Sequence, residues 1–359
     1  MITAKFGGTA ITPTNLHFIK SCISKSHNVV VVSAIGKEFY NDVKATDLLK
    51  NFYLTRNNRL WQSFADKYRR LVYVNSVGID VDELLFDARS RAVKYNLEYC
   101  MSLGEELSAK IVAKYLSATY VEAEQIVHFS RRGLRLKDTL KSMCNAFDGV
   151  GLAVTGGFYG SLNAQRQLFS RGGSDITGSL CAAATGANLY ENWTDSYGVT
   201  VADPTKVFDV STVFTLSYDQ MFDLAQAGAQ VLNPSAVMPC KQFGIPIKIG
   251  NYYNPYGSST LISNCRSHSK ILSIAEKLDG SGNTVTTVLF NLDRSLIIRF
   301  MSDFFKRNQT ENCAFDKMYI CENVSVMSFT CRQNILEIVT SKSIVSSLYK
   351  QLKAYGFID

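Results

Sequence analysis

FSRGGSDITGSLCAAATG, residues 169–186, is a charged glycine turn that runs into an alanine-rich helical segment closed by Gly186. Gly172 and Gly173 tolerate backbone angles that other residues resist. Ser174 or Asp175 is the expected N-cap of the helix. Backbone N–H groups at a helix start attract anions, and the planar fork of Arg171 beside them suits a carboxylate or phosphate. The stretch alone fits two readings, an anion site with a charged reader or a capped helix after a tight turn.

On either side, further glycines and charges sit at the ends of apolar runs. Residues 4–9, AKFGGT, read as a short strand entering a Gly7-Gly8 turn, with Lys5 a positive point charge beside it. An ordinary strand and turn with a surface lysine is the plainer reading, and no GxxxxGK[ST] loop exists in the chain. Leu16–Ser26 has the pattern of an amphipathic helix and Val29–Ser33 that of a buried parallel strand, which together make a βαβ unit. Ser33 falls at the carboxyl end of its strand, where open α/β sheets bind ligands. Thr46, within Asp42–Leu49, is an expected helix N-cap. Arg56–Tyr99 reads as a polar and aromatic helical layer. Ser102-Leu103-Gly104-Glu105 then leads into a helix over Glu106–Ser117, whose first turn would let Glu105 face the helix dipole. Val121–His128 and Gly151–Thr155 read as strands, the second ending in Gly156-Gly157-Phe158-Tyr159-Gly160. Trp193-Thr194-Asp195 ends another strand, Asp203-Pro204 reads as a turn, and Ile245–Ile249 is a further strand. This alternation points to an α/β fold with a mainly parallel sheet.

The chain has 359 residues, room for two domains, and 46% of them are hydrophobic. Its longest apolar runs fall far short of a membrane span, and no basic-then-apolar leader precedes the first strand. Nine cysteines without a CxxC pair read as reduced thiols in a cytoplasmic protein. Four dispersed histidines provide no ligand spacing, so no protein metal site is expected. The net charge of +7 comes without a basic block interleaved with aromatics, which argues against a nucleic-acid partner.

Taken in order, KFGGT (5–9), SLGE (102–105), SRGGSD (170–175) and WTD (193–195) with ADP (202–204) resemble the amino-acid kinase superfamily and, within it, the aspartate kinases. The resemblance covers residues 1–262. It extends to LSYDQMFDLAQAGAQVLNP (216–234), which departs from the family pattern at Gln220 and Asn233, and to Asn254-Pro255; Ser170 is a further departure. It implies a three-layer sandwich catalytic domain over 1–263 and transfer of the ATP γ-phosphoryl group to the β-carboxylate of L-aspartate. That reaction opens the route to lysine, threonine and methionine. The catalytic residues implied are Lys5, on the transferred phosphoryl group, and Asp175, which orients it. Ser33, Thr46, Glu105, Arg171 and Ser174 would bind substrate, Glu105 pairing with the α-ammonium and Arg171 with the α-carboxylate. Lys5, Gly7, Gly8, Thr194, Asp195, Tyr197 and Asp203 would bind ATP, with Mg²⁺ carried on its phosphates. A kinase of another amino acid and a non-catalytic regulator of the same family are the alternatives.

From about Lys270 the pattern changes. Thr284–Phe290 reads as a strand, Arg294–Arg307 as a helix, Val324–Thr330 and Ile335–Val339 as an antiparallel pair, and Ser343–Tyr355 as a helix. This order matches a ferredoxin-like unit and, after a kinase domain, looks like a single ACT-like module over 270–359. A regulatory role and a plain dimerisation surface both fit it, and the expected assembly is a homodimer or higher homo-oligomer.

Overall fold

A computed structural model of the chain describes residues 1–170, 172–227, 232–265, 267, 269–278, 284–291, 294–308, 313–320, 325–331 and 344–358. Packing divides the chain into two compact units. One comprises Met1–Ser196 with Ser235–Gly257, the other Tyr197–Pro234 with Ser258–Asp359. By motif, segment 197–234 falls with the catalytic domain; by packing it falls in the second unit.

The first unit is built on six parallel strands in the spatial order Ile247–Asn251, Leu189–Thr194, Ile2–Phe6, His27–Val32, Ala153–Gly156 and Thr119–Val121. Alternation sorts their side chains between two faces. Ala4, Phe6, Val30, Val32, Val154 and Trp193 join a core with helices Leu16–Cys22, Ala45–Thr55, Asn58–Val74, Val81–Lys94 and Leu97–Leu116. Thr3, Lys5, Tyr190 and Asn192 occupy the opposite face, where helix Gly173–Thr185 packs. Helix, sheet and helix make the three-layer α/β sandwich that the family resemblance implied.

Three local expectations change. Helix Leu97–Leu116 starts well before Glu106, capped by Asn96, whose side chain accepts from Tyr99 N–H at 2.9 Å. Gly104, inside this helix, packs closely: a Cβ there would lie 2.8 Å from Ala34 Cβ. The expected strand over 121–128 is the short strand Thr119–Val121 followed by a helical turn, Ala123–Ile126. The N-cap of Ala45–Thr55 is Lys44, so Thr46 lies inside the helix.

In the second unit, Thr215–Ser217 and Ser259–Ser263 pair in parallel. Ser217 and Gln220 form a capping box for helix Tyr218–Ala227: Ser217 Oγ accepts from Gln220 N–H at 3.1 Å, and Gln220 Oε1 accepts from Ser217 N–H at 3.0 Å. Gln220 therefore keeps a helix-starting role at a position where the family pattern has Glu. Four antiparallel strands follow in the order Ile271–Leu278, Thr284–Phe290, Ser325–Cys331, Cys313–Ile320, with helices Arg294–Asn308 and Ile344–Ala354. The expected strand over 335–339 lies outside the described residues.

A buried ion network ties the hairpin Tyr159–Leu162 with Gln165–Leu168 to the helical layer. Glu106 accepts from Arg91 at 2.8 and 2.9 Å and pairs with Arg166 at 2.8 Å; Arg166 reaches Glu124 at 2.9 Å and donates to Ser102 Oγ at 3.0 Å. Burial alone would raise the Glu106 pKa, but the two arginines and Lys110 outweigh it and bring it from 4.5 down to about 2. A depressed carboxyl contributes stability above its unfolded value and loses that contribution as pH falls through its folded value, here about 3 kcal/mol between pH 4.5 and 2. Urea unfolding of Glu106→Gln should therefore show lower stability than wild type at pH 7 and a shallower loss from pH 5 to pH 3. Equal slopes would contradict this role.

Candidate active site

The strands Ile2–Phe6, His27–Val32, Ala153–Gly156 and Leu189–Thr194 all end on one edge, and glycines let their following loops meet backbone to backbone. A Cβ on Gly8 would lie 2.7 Å from Ala34 O, and Gly36 N–H donates to Gly8 O at 2.8 Å. A Cβ on Gly157 would lie 2.5 Å from Ser174 Cα, and one on Gly156 would lie 3.1 Å from Glu105 O. The Gly156-Gly157 turn thus stands between Glu105 on one helix and Ser174 on another. Carboxyl-end edges of parallel sheets are where α/β proteins bind ligands.

Lys5 Nζ lies 2.6 Å from Asp175 Oδ1, with both side chains largely buried. Asp175 stands in the first turn of helix Gly173–Thr185, where the dipole favours a carboxylate. The N-cap is Gly172, at φ 62°, so Ser174 and Asp175 are first-turn residues and not caps. Gly7 lies directly beside the ammonium, since a Cβ there would sit in ordinary contact, 3.7 Å from Lys5 Nζ. A cation with glycine backbone alongside can take a phosphate group.

Glu105 is the unusual charge. It is 4% exposed, and its Oε2 has no hydrogen-bond partner among the described residues. Burial raises its pKa from 4.5 to about 8, against a smaller opposite pull from the backbone N–H groups of Glu105 and Ala34. Its neighbour Glu106 shows the contrast: every Glu106 oxygen meets a cation of the chain. A buried carboxylate left without a counter-charge is costly, and a cationic ligand would relieve it.

A model of the amino acid kinase family matches residues 1–251. The chain belongs to the amino acid kinase family. Among its relatives, aspartokinase 3 of Bacillus subtilis is 26% identical over 99% of this chain and 83% of its own length. The chloroplastic aspartokinase 1 of Arabidopsis thaliana is 26% identical over 74% of this chain. The match spans only 52% of that plant enzyme and 62% of the Chlamydia pneumoniae aspartokinase. Among solved structures, the aspartate kinase of Clostridium acetobutylicum aligns over 99% of this chain and 82% of its own, with TM-score 0.74 and 26% identity. Escherichia coli aspartokinase III, solved with aspartate and ADP, aligns with TM-score 0.69 at 18% identity and shares the fold.

Within this amino acid kinase, the structure brings Lys5, Gly7, Gly8, Glu105, Ser174 and Asp175 to one edge of the first unit. Ser33 follows Val32, whose carbonyl accepts from Gly157 N–H at 2.9 Å, and Thr46 is half-buried in the helix tied by Ala45 N–H to Ile35 O at 3.1 Å. Thr194 Oγ1 donates to Asp195 Oδ1 at 3.1 Å on the same edge. Arg171 lies outside the described residues. Tyr197 and Asp203 belong to the second unit; Tyr197 is exposed, and Asp203 Oδ1 accepts from Thr205 N–H at 2.9 Å and its hydroxyl at 2.7 Å, closing a turn. Two residues escaped the sequence reading. Gly36 belongs to the Gly8 contact, and only its place after a strand hinted at it. Asn192 sits between Lys5 and Asp175, and only strand alternation could have pointed to it.

No helix among the described residues is long and apolar enough to cross a membrane. Glu105 generates a stability prediction. A carboxyl with a raised folded pKa costs nothing below its unfolded value; the penalty grows as pH rises from 4.5 and is complete above about 8, on the order of 5 kcal/mol. Glu105→Gln should therefore raise the Tm of ligand-free protein at pH 9 and leave it nearly unchanged at pH 5. A Tm lowered equally at both pH values would contradict an uncompensated buried charge.

Proposed function

We propose that this amino acid kinase transfers the γ-phosphoryl group of ATP to the β-carboxylate of L-aspartate, giving 4-phospho-L-aspartate and ADP. The observation that carries the reading is Glu105, a buried carboxylate with no cation partner among the described residues, on the same edge as a lysine beside a glycine turn. An α-ammonium is the counter-charge Glu105 lacks. The aspartokinase names of the relatives support the same substrate.

In this reading a β-carboxylate oxygen attacks the γ-phosphorus in line, and the bond to the β,γ-bridging oxygen breaks. A carboxylate is already a competent nucleophile, so the chain needs no general base. Its residues hold repelling anions together and offset their charge. Lys5 is placed on the transferred group, Asp175 fixes its ammonium, and the Gly7-Gly8 backbone lines the phosphates. Arg171 takes the α-carboxylate, with Ser33, Thr46 and Ser174 completing the substrate site. Thr194, Asp195, Tyr197 and Asp203 are assigned to the nucleotide. Mg²⁺ on the phosphates would supply further charge neutralisation through oxygen ligands. The same reading assigns 1–263 to catalysis, 270–359 to an ACT-like module, and a homodimer or higher homo-oligomer to the assembly.

ATP-dependent acyl-phosphate formation, trapped with hydroxylamine, tests this across L-aspartate, L-glutamate, N-acetylglutamate and carbamate. Signal is expected with L-aspartate alone, reduced by about a thousandfold or more in Lys5→Ala and Asp175→Ala. Arg171→Ala should chiefly raise the KM for aspartate. Signal with another acceptor would reassign the substrate, and ATP binding without turnover on any of the four would point to a regulator.

A further inference from the structure

Asn192 is 4% exposed in strand Leu189–Thr194 and is the register partner of Lys5 on strand Ile2–Phe6. Its side chain lies on the same face as that of Lys5 and closes a three-membered ring with the ion pair. Lys5 Nζ donates to Asn192 Oδ1 at 3.4 Å, and Asn192 Nδ2 donates to Asp175 Oδ1 at 3.0 Å. The two contacts agree on the amide's orientation, since only its oxygen can accept from an ammonium and only its nitrogen can donate to a carboxylate.

The same strand holds Asp175 a second way. Two residues back along that face, Tyr190 donates its hydroxyl to Asp175 O at 3.1 Å. Gly178 makes room for that ring, because a Cβ there would lie 2.6 Å from the Tyr190 oxygen. Strand Leu189–Thr194 therefore grips Asp175 by both carbonyl and carboxylate, and through the amide it also sets the Lys5 ammonium. A lysine stem has large rotamer freedom; two acceptors from two different elements remove it. Of the three N–H groups of Lys5, the ring uses two, leaving one for a ligand oxygen.

We infer that Asn192 is a positioning residue for phosphoryl transfer, which holds the Lys5 ammonium and the Asp175 carboxylate in one arrangement without adding charge. A carboxylate in its place would put a second negative charge beside Asp175 and draw the ammonium away from an anionic ligand. A neutral amide orients both partners and leaves the charge of the pair intact. The inference rests on the phosphotransfer reading above and adds a residue to it.

Two variants test it. Asn192→Leu keeps the volume and removes both polar atoms; kcat should fall by about 10- to 100-fold while KM for ATP and acceptor stay within about twofold. Asn192→Asp keeps the shape, so it provides the readout should the leucine variant fail to fold. Two carboxylates about 3 Å apart share a proton, so its kcat should fall and its pH profile acquire one extra ionisation on the acid limb. An unchanged kcat, or a pH profile identical in shape to wild type, overturns the inference. A readout independent of substrate uses ligand-free protein labelled with ¹⁵N-lysine, the Lys5 ammonium signal being assigned by its loss in Lys5→Arg. Proton exchange at that ammonium should quicken by about fivefold or more in Asn192→Leu, or the signal should shift in Asn192→Asp; no change in either overturns the inference. A wild-type chain inactive on every acceptor would sink the phosphotransfer reading, and the ammonium signal would still decide whether Asn192 holds Lys5.

Discussion

The register between two parallel strands places Lys5 against Asn192, and the chemistry proposed for the site depends on it. A slip of one residue would turn Lys5 to the other face, into a core of Ala4, Phe6, Val30, Val32 and Trp193. Burying an ammonium there without a partner would cost far more than the local pairing returns. The apolar residues on one face therefore keep the lysine on the other, where the first turn of helix Gly173–Thr185 delivers Asp175. Packing on one side of the sheet sets electrostatics on the other.

Glycine is the second constraint. Gly8 against Gly36, Gly156 against Glu105, and Gly157 against Ser174 are contacts in which a Cβ would meet backbone at 3.1 Å or less. They draw loops from separate strands into one edge and leave little slack between the lysine end and the glutamate end. Adjacent glutamates then divide the work. Glu106 is satisfied by the chain's own cations and stabilises the fold, while Glu105 Oε2 has no partner among the described residues, which is the state expected of a group whose partner is a ligand.

Much of this was legible in the sequence because motif order carries chemistry even when each motif is short. Through the family resemblance that order carried, Lys5, Gly7-Gly8, Glu105 and Gly172–Asp175 became expected ligand contacts, and the parallel sheet followed from buried strands alternating with helices. Element boundaries were harder to read. The helix expected from Glu106 begins at Leu97 and runs through Gly104, whose missing side chain admits Ala34. Ser174 and Asp175 looked like caps, but the paired glycines shift the helix start to Gly172. Thr46 looked like a cap, and Lys44 holds that place without a side-chain bond. Asn192 was legible only through strand alternation, since its role exists once two strands lie in register.

In the proposed reaction Glu105 waits, largely protonated, for an α-ammonium. Titration calorimetry of L-aspartate into ADP-saturated protein, run at pH 7 in buffers of differing ionisation enthalpy, measures the protons exchanged on binding. Because burial holds the Glu105 pKa at about 8 and a bound ammonium lowers it, about one proton should be released per aspartate at pH 7. The release should fade above pH 9 and disappear in Glu105→Gln. Aspartate binding with no proton release at pH 7, or with the same release in Glu105→Gln, would contradict the assignment of the substrate's ammonium to this carboxylate.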